Sequence, residues 1–297
     1  ALNLRSGPGT SYSVILLIPS GAQVFVDSGP HNSVWYKVTY NSTQGYVHGN
    51  YLSQAPASGG TVRVGAYART TTSLNLRTGP GSSYAIILLI PSGGRVFVNS
   101  GPYNSVWYQV TYNGNNGYVH GSYLAPGSAT TYTKLPTSSK VVALTFDAGS
   151  DVGYTKMILD TLAANRVKAT FGMTGKWAET NPDLVRRMVN EGHGIINHTY
   201  THRSFTGRST NSAPLSYEAR ADELWKTESA MLRLTGKSTK PYFRPPYGDY
   251  DASVLADVWS RGYSYNIMWT VDSLGWRGLS KEQIVQRCLD GLQPGAI

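Results

Sequence analysis

Two histidines and one aspartate are the side chains in this sequence best placed to do chemistry. His198 and His202 lie four residues apart, so one helical turn or a tight loop can aim both rings at one ion. Neutral imidazole is a good ligand for Zn²⁺ and its neighbours. Asp147 follows an apolar run, where a carboxylate can take a proton from a water activated by that ion. These groups are the minimum equipment for hydrolysing an amide or an ester.

The elements that must position these residues follow from hydrophobic periodicity. The pattern predicts strands at 141–146, 167–173, 193–197, 242–244 and 263–269, and helices at 154–165, 182–190, 216–235, 251–261 and 281–292. Repeated β-then-α units favour parallel strands with helices packed outside. Because chemistry in such folds gathers at the C-terminal strand ends, we expect Asp147, His198 and Arg244 to share one edge.

The N-terminal part of the chain is a tandem repeat. Residues 2–52 and 74–124 differ at thirteen of 51 aligned positions, and their short apolar runs between Gly, Pro, Asn and Ser predict small all-β modules. The first copy lacks a counterpart of 61–73, which would supply an entering strand, so we expect it to be truncated at its N-terminus.

A stretch rich in Pro, Gly, Ser and Thr predicts a linker. The predicted domains are 1–54, 61–125 and 140–297, with the linker at 126–139.

The charge and the amino-acid composition indicate which classes of partner the chain favours. The formal net charge is +9, but the basic residues are scattered with no run of five. This favours weak attraction to polyanions such as bacterial wall polymers and argues against a nucleic-acid binder. The one cysteine, Cys288, excludes an internal disulfide. No apolar run reaches the roughly 18 residues expected of a membrane span.

Each repeat resembles the bacterial SH3-like (SH3b) domain. The resemblance is carried by Leu-Asn-Leu-Arg and Gly-Pro-Gly near the start and by Gly-Tyr-Val-His-Gly and Tyr-Leu near the end. It implies a small barrel that binds cell-wall peptides or glycans. Aromatic residues in each repeat are candidate platforms for such ligands: Trp35, Tyr36, Tyr40 and Tyr51, with Trp107, Tyr108, Tyr112 and Tyr123. Of these, we interpret Trp35 and Trp107 as core residues.

Residues 140–297 resemble the polysaccharide deacetylase family, also called NodB-homology or carbohydrate esterase family 4. Four motifs occur in order: Thr145-Phe-Asp-Ala-Gly149, His198-Thr-Tyr-Thr-His202, Arg244-Pro-Pro-Tyr-Gly248 and Trp269-Thr-Val-Asp-Ser-Leu-Gly-Trp276. The resemblance implies an α/β fold, a distorted (β/α) barrel of NodB type. It also implies removal of acetyl groups from N-acetylhexosamine polymers, peptidoglycan or xylan.

The resemblance assigns roles to individual residues. Asp147 matches the catalytic base, the alternative being a residue that only orients a ligand or caps a helix. Arg244 matches the arginine that holds this base, the alternative being a surface ion pair. His198 and His202 match the ligands of a divalent metal, with Zn²⁺ as first choice and Co²⁺ or another ion as alternatives; the alternative is two loop histidines without metal.

Three further residues are predicted to bind substrate: Tyr247, Trp276 and Asp272. The backbone N–H of Tyr247 is implied to meet the developing oxyanion. Trp276 is implied to wall the acetyl-methyl pocket, with a core role left open.

Three departures from the family pattern bear on activity. Ala148 stands where the family has a second, metal-binding aspartate, so Asp151 or water is expected in that place. Gly275-Trp276 replaces the usual Asp-Trp, which leaves Asp272 as a candidate partner of Arg244. The general-acid histidine of the family follows an apolar strand that would begin at Ala296, so we expect the barrel to be truncated at its C-terminal end.

The sequence therefore predicts a secreted cell-wall enzyme. Two SH3b modules would hold a metal-dependent deacetylase to peptidoglycan or an N-acetylglucosamine polymer. One alternative is a wall-binding protein that has lost turnover through Ala148. A second is an O-acetyl esterase acting on acetylxylan. The polymer, the metal and the oligomeric state stay open at this point.

Overall fold

The computed structural model describes residues 2–19, 22, 24–40, 43–52 and 62–297. Three β-sheets organise these residues. The predicted boundary between the repeats, from 54 to 61, lies outside the described residues. No helix in the described part of the chain has the length and hydropathy needed to cross a membrane.

The first repeat folds as a five-stranded antiparallel sheet with strand order β2-β1-β5-β4-β3. Side chains alternate across each strand, so one face buries Leu4, Ile18, Val38 and Val47 in a small core. The strands are β1 (Leu2–Arg5), β2 (Val14–Ile18), β3 (Phe25–His31), β4 (Trp35–Tyr40) and β5 (Thr43–His48).

The second repeat repeats this arrangement and adds two strands, giving the order β12-β6-β9-β10-β11-β7-β8. The added strand β6 pairs antiparallel with β9, and it lies in the segment that the first copy lacks, as the sequence predicted. The strands are β6 (Ala66–Thr70), β7 (Leu74–Arg77), β8 (Ile86–Ile90), β9 (Arg95–Tyr103), β10 (Trp107–Tyr112), β11 (Asn115–His120) and β12 (Leu124–Ala125).

The C-terminal domain is built on six parallel strands in the order β13-β18-β17-β16-β15-β14. The strands are β13 (Thr130–Tyr132), β14 (Thr145–Ala148), β15 (Thr170–Met173), β16 (Gly194–Asn197), β17 (Tyr242–Phe243) and β18 (Tyr265–Ile267). The helices are α1 (Thr155–Ala164), α2 (Gly175–Thr180), α3 (Pro182–Asn190), α4 (Tyr217–Thr235), α5 (Ala252–Ser260) and α6 (Lys281–Asp290). The predicted fold class, all-β modules followed by an α/β domain with a parallel sheet, is confirmed.

The prediction of a linker at 126–139 was wrong for its middle part. Thr130–Tyr132 forms strand β13 and pairs in parallel with β18, and Ala129 beside it is buried. Residues 130–132 are two β-branched residues and a tyrosine, which have high strand propensity. The Pro, Gly and Ser around them gave the segment the composition of a linker. The C-terminal domain therefore begins before residue 140.

The two edge strands β13 and β14 are brought together by the segment 295–297. Ala143 donates its backbone N–H to Ala296 O at 2.8 Å, and Thr270, just after β18, donates to Ile297 O at 2.8 Å. Ala296 and Ile297 are buried there. The strand predicted at 141–146 accordingly starts only at Thr145, because the residues before it bond to this segment.

The second repeat packs directly on the C-terminal domain through Arg95. Its guanidinium lies between two rings, 4.2 Å from the centroid of Tyr67 and 4.6 Å from that of Trp259. It also donates to Ser264 Oγ at 2.8 Å and to Trp259 O at 2.9 Å. A guanidinium that stacks on aromatic faces and donates hydrogen bonds from its edge makes a geometrically specific contact. The second repeat and the C-terminal domain therefore meet at a specific interface.

Candidate active site

The C-terminal edge of the parallel sheet gathers the predicted reactive residues. Asp147 is near the end of β14, His198 directly follows β16, and Arg244 directly follows β17. Parallel strands present their carboxyl ends at one edge, so residues distant in sequence meet there.

Arg244 and Asp147 form an ion pair at the base of this edge. Arg244 Nη1 lies 3.0 Å from Asp147 Oδ1, and the arginine is only 2% exposed. The same Nη1 also donates to Thr145 Oγ1, while Nε donates to Ile267 O and Nη2 to Met268 O. A buried guanidinium needs this many acceptors, and the arrangement fixes one carboxylate oxygen of Asp147 while leaving Oδ2 available.

The His198 ring has a defined tautomer. Its Nδ1 lies 2.9 Å from the backbone oxygen of Arg244. Because a carbonyl oxygen only accepts, Nδ1 carries the proton and Nε2 keeps its lone pair in the neutral ring. Nε2 points toward the carboxylate, 3.9 Å from Asp147 Oδ2. Such a backbone contact on the far nitrogen is how proteins orient a metal-binding histidine.

His202 faces His198 across the same edge. The two ring centroids are 4.9 Å apart at an interplanar angle of 69°. Burial lowers the pKa of His202 to about 4, and the neighbouring His198 acts in the same direction. The ring is therefore neutral at pH 7 and has a lone pair to donate.

The loop that links the two histidines has unusual backbone geometry. Thr199 and His202 both adopt left-handed φ angles, 67° and 62°, which non-glycine residues rarely do. The amide N–H of Thr199 donates to Asn197 Oδ1 at 3.0 Å. The first residues of α2, Gly175 and Lys176, donate backbone N–H groups to the carbonyls of residues 199 and 200. These contacts compensate for the strain and hold the loop in one shape.

Tyr247 borders the site on the β17 side. Its ring centroid is 4.7 Å from that of His202, and its backbone is left-handed with φ 60° and ψ 5°. The side chain is 52% exposed. A strained, exposed residue next to the histidine pair is consistent with a position against the substrate.

Three of the predicted site residues lie apart from this group. Asp151 is exposed, and among the described residues no group of three or more His, Cys, Asp or Glu side chains is placed to hold a metal ion. Asp272 does not pair with Arg244; its carboxylate accepts from Leu274 N at 2.9 Å and lies 3.5 Å from Trp276 Nε1. The reason is that Arg244 is already engaged by four acceptors. Trp276 is 72% exposed, which excludes the core role for this residue.

The donor chemistry fits a borderline divalent cation at the histidine pair. Two imidazole rings lie next to each other, and the hydrogen bond made by His198 Nδ1 leaves Nε2 as the nitrogen that can bind a metal. Ala148 adds no donor, and its side chain instead packs against the core between sheet and helices. The described residues thus offer two imidazoles with a carboxylate nearby, one ligand fewer than the family pattern.

Sequence reasoning missed the residues that support the site. Asn197 and Glu223 are both buried, and both bond to the backbone of the histidine loop. The signal was present in α4, where polar residues occupy the buried stripe expected to be apolar: Arg220, Glu223, Thr227 and Glu228. Polar residues at core spacing call for buried partners.

Comparison with sequence families agrees with the geometry of both parts of the chain. The polysaccharide deacetylase pattern matches residues 134–266. The bacterial SH3 domain pattern matches residues 1–53 and 72–125.

Individual relatives cover the C-terminal part. A peptidoglycan-N-acetylglucosamine deacetylase of Bacillus cereus is 38% identical over 163 residues, which is 54% of this chain and 56% of that protein. The chain thus spans little more than half the length of this relative.

Solved structures show the same fold. A crystal structure of a peptidoglycan N-acetylglucosamine deacetylase is 34% identical with a TM-score of 0.51, covering 57% of this chain and 74% of that one. A pseudoenzyme of carbohydrate esterase family 4 from Bacillus anthracis is 29% identical with a TM-score of 0.51, covering 60% of this chain and 59% of that one.

Proposed function

This chain belongs to the polysaccharide deacetylase family, and on that premise we propose that it hydrolyses N-acetyl groups on cell-wall glycan. The substrate would be peptidoglycan or another N-acetylglucosamine polymer. The observation that carries the proposal is the Asp147 carboxylate, held by Arg244 through one oxygen while the other faces His198 Nε2 at 3.9 Å. The relative from Bacillus cereus, named as a peptidoglycan deacetylase, supports the choice of polymer.

His198 and His202 would hold a divalent metal, Zn²⁺ or Co²⁺, through their ring nitrogens. When bound, the ion supplies Lewis-acid polarisation of the acetyl carbonyl. The low pKa of His202 means that this ring need not lose a proton before it binds metal at pH 7. The hydrogen bond from His198 Nδ1 to a backbone carbonyl keeps its Nε2 directed at the same place.

Asp147 would act as the general base. Its free Oδ2 accepts a proton from the attacking water, while the Arg244 contact to Oδ1 prevents the carboxylate from rotating. The backbone N–H of Tyr247 would donate to the oxyanion that forms on the acetyl group. Trp276 and Asp272 would contact the substrate from the outer rim, where the indole is exposed.

The SH3b modules would hold the enzyme to the wall, outside the cell. In the first module the Tyr51 side chain is exposed and offers a platform for a sugar ring or a peptide. The second module is fixed to the catalytic domain through Arg95, so wall binding would also orient the catalytic edge. Net charge of +9 adds attraction to anionic wall polymers.

A second function is favoured by one specific observation. Ala148 provides no metal ligand, and the described residues contain no three-donor group. One structural relative is a pseudoenzyme. A wall-binding protein without turnover is therefore the competing proposal.

Acetate release by the full chain distinguishes these functions. We expect acetate from N-acetylated peptidoglycan in the presence of Zn²⁺ or Co²⁺, and loss of it after chelation. Asp147→Asn should lower the rate by about 10²–10⁴-fold, the usual contribution of a general base. O-acetylated xylan run in parallel tests the esterase alternative.

The control is co-sedimentation with insoluble peptidoglycan, which both functions predict. Binding without acetate from any N-acetylated polymer, with either metal, would support the wall-binding protein and end the enzyme proposal. Circular dichroism of Asp147→Asn verifies that the variant is folded.

A further inference from the structure

We propose that Glu223 is a positioning residue that sets the geometry of the two histidines, an inference that rests on the proposed metal-dependent function. Glu223 lies on α4 and touches neither ring. Its carboxylate accepts from the backbone N–H of Tyr200 at 2.8 Å and from that of Thr201 at 2.8 Å. Its other oxygen accepts from the Thr201 hydroxyl at 2.6 Å.

These three bonds go to the middle of the loop that joins His198 and His202. Residues 200 and 201 are the turn between the two rings, and the residues on either side of the turn, Thr199 and His202, have left-handed backbones. Such a turn persists only when its surroundings over-determine it. Glu223 supplies that constraint from one side, and the first N–H groups of α2 supply it from the other.

The Glu223 carboxylate is compensated by hydrogen bonds from this loop rather than by a direct ion pair. It is 6% exposed, and none of the ion pairs found among the described residues includes it. A buried carboxylate without an ion pair is costly unless hydrogen bonds satisfy it. The carboxylate and the loop therefore depend on each other, and the loop is stable in the shape that makes the rings converge.

The consequence is a second layer around the candidate metal site. Ligands must be held within about 0.5 Å of productive geometry, and outer residues do this. The second layer is more important here than in a site with three protein donors, because the part of the chain that the structure describes brings two imidazoles together and no third donor. Small rotations of either ring then change the metal affinity directly.

The test is Glu223→Gln in the full chain, with Co²⁺ as the probe. The two backbone N–H groups share one carboxylate oxygen. An amide oxygen in that place still accepts from them but has no charge, and hydrogen bonds to a neutral acceptor are roughly half as strong as those to an ionised one. We expect the Co²⁺ dissociation constant to rise by roughly 10–100-fold, the range for loss of an outer-shell partner. The visible absorption of bound Co²⁺ should change, because the ring orientation changes.

Glu228→Gln is the matched control. Glu228 lies on the same helix, is 8% exposed, and accepts three hydrogen bonds, from Ser238 Oγ and from the N–H and hydroxyl of Thr239. It does not contact residues 198 to 202. A comparable loss of stability without loss of Co²⁺ affinity is expected, and an equal loss of affinity in both variants overturns the proposal.

Hydrogen exchange provides a readout that does not depend on metal. In metal-free protein, the amides of Tyr200 and Thr201 should exchange faster in Glu223→Gln than in Glu228→Gln. Unchanged exchange at these two amides contradicts the inference even if activity falls. A wild-type chain that binds no Co²⁺ contradicts the proposed metal site, while exchange still decides whether Glu223 holds the loop.

Discussion

The two strand ends that frame the candidate site, at β16 and β14, are held very differently. At β16, Asn197, His198 and Thr199 are all buried. The loop that follows is held by hydrogen bonds to the Glu223 carboxylate and to the first N–H groups of α2. At β14, Asp147 is partly exposed and has Arg244 as its partner, and the following Asp151 is exposed. The histidine loop after β16 is thus held by buried hydrogen bonds, whereas Asp147 on β14 is open to solvent.

This difference shows where the site can change without unfolding the protein. Altering the β16 side breaks buried hydrogen bonds, each costing about 1–3 kcal/mol when a partner is left unsatisfied. On the β14 side Ala148 is only partly buried where it packs against the core, so a change of its side chain should disturb fewer buried contacts. The presence of Ala148, next to an intact histidine loop, is consistent with this view.

The largest effect on Co²⁺ binding is expected from a substitution on the β16 side. His198→Ala should weaken Co²⁺ binding by more than the roughly 100-fold upper range for outer-shell partners, because one of two converging rings is gone. Isothermal titration of Co²⁺ measures it. His48→Ala, a change to a histidine that caps a short turn in the first module, is the control and should bind Co²⁺ as the wild type does.

A gain is expected on the β14 side from Ala148→Asp. A carboxylate at this strand end would add the third protein donor, and we expect at least a tenfold tighter Co²⁺ dissociation constant, about 1.4 kcal/mol. Ala148→Asn is the matched neutral control. If the aspartate variant binds no better than the asparagine variant, the β14 side does not reach the ion, and the comparison fails there.

The smallest effect is expected for Asp151→Ala. This carboxylate is exposed and belongs to no three-donor group among the described residues, so Co²⁺ affinity should stay within roughly twofold, below the 10-fold minimum for an outer-shell loss. The same titration measures it. A tenfold loss would instead mean that Asp151 turns inward when metal binds, which is one of the two alternatives that the sequence leaves open at this place.

Much of the fold was predictable because hydrophobic periodicity reports burial directly. The helix predicted at 216–235 is observed at Tyr217–Thr235, since a serine cap and a glycine stop bracket it. The strand at 130–132 was missed because its neighbours have the composition of a linker. The strand expected from residue 141 starts at Thr145 because the preceding residues bond to a segment some 150 residues away in sequence, which no local pattern reports.

The sequence by itself determined the chemical groups: two histidines four residues apart, an aspartate at a strand end, and an alanine where a donor would stand. Residue types and their spacing are properties of the sequence itself, so motifs report them without a structure. Tertiary structure decided which groups meet. It paired Arg244 with Asp147 and not with Asp272, exposed Trp276, and placed Glu223 beneath the histidine loop. Buried polar groups take whatever partners the packing of distant elements brings within hydrogen-bond reach, and that choice is made only in three dimensions.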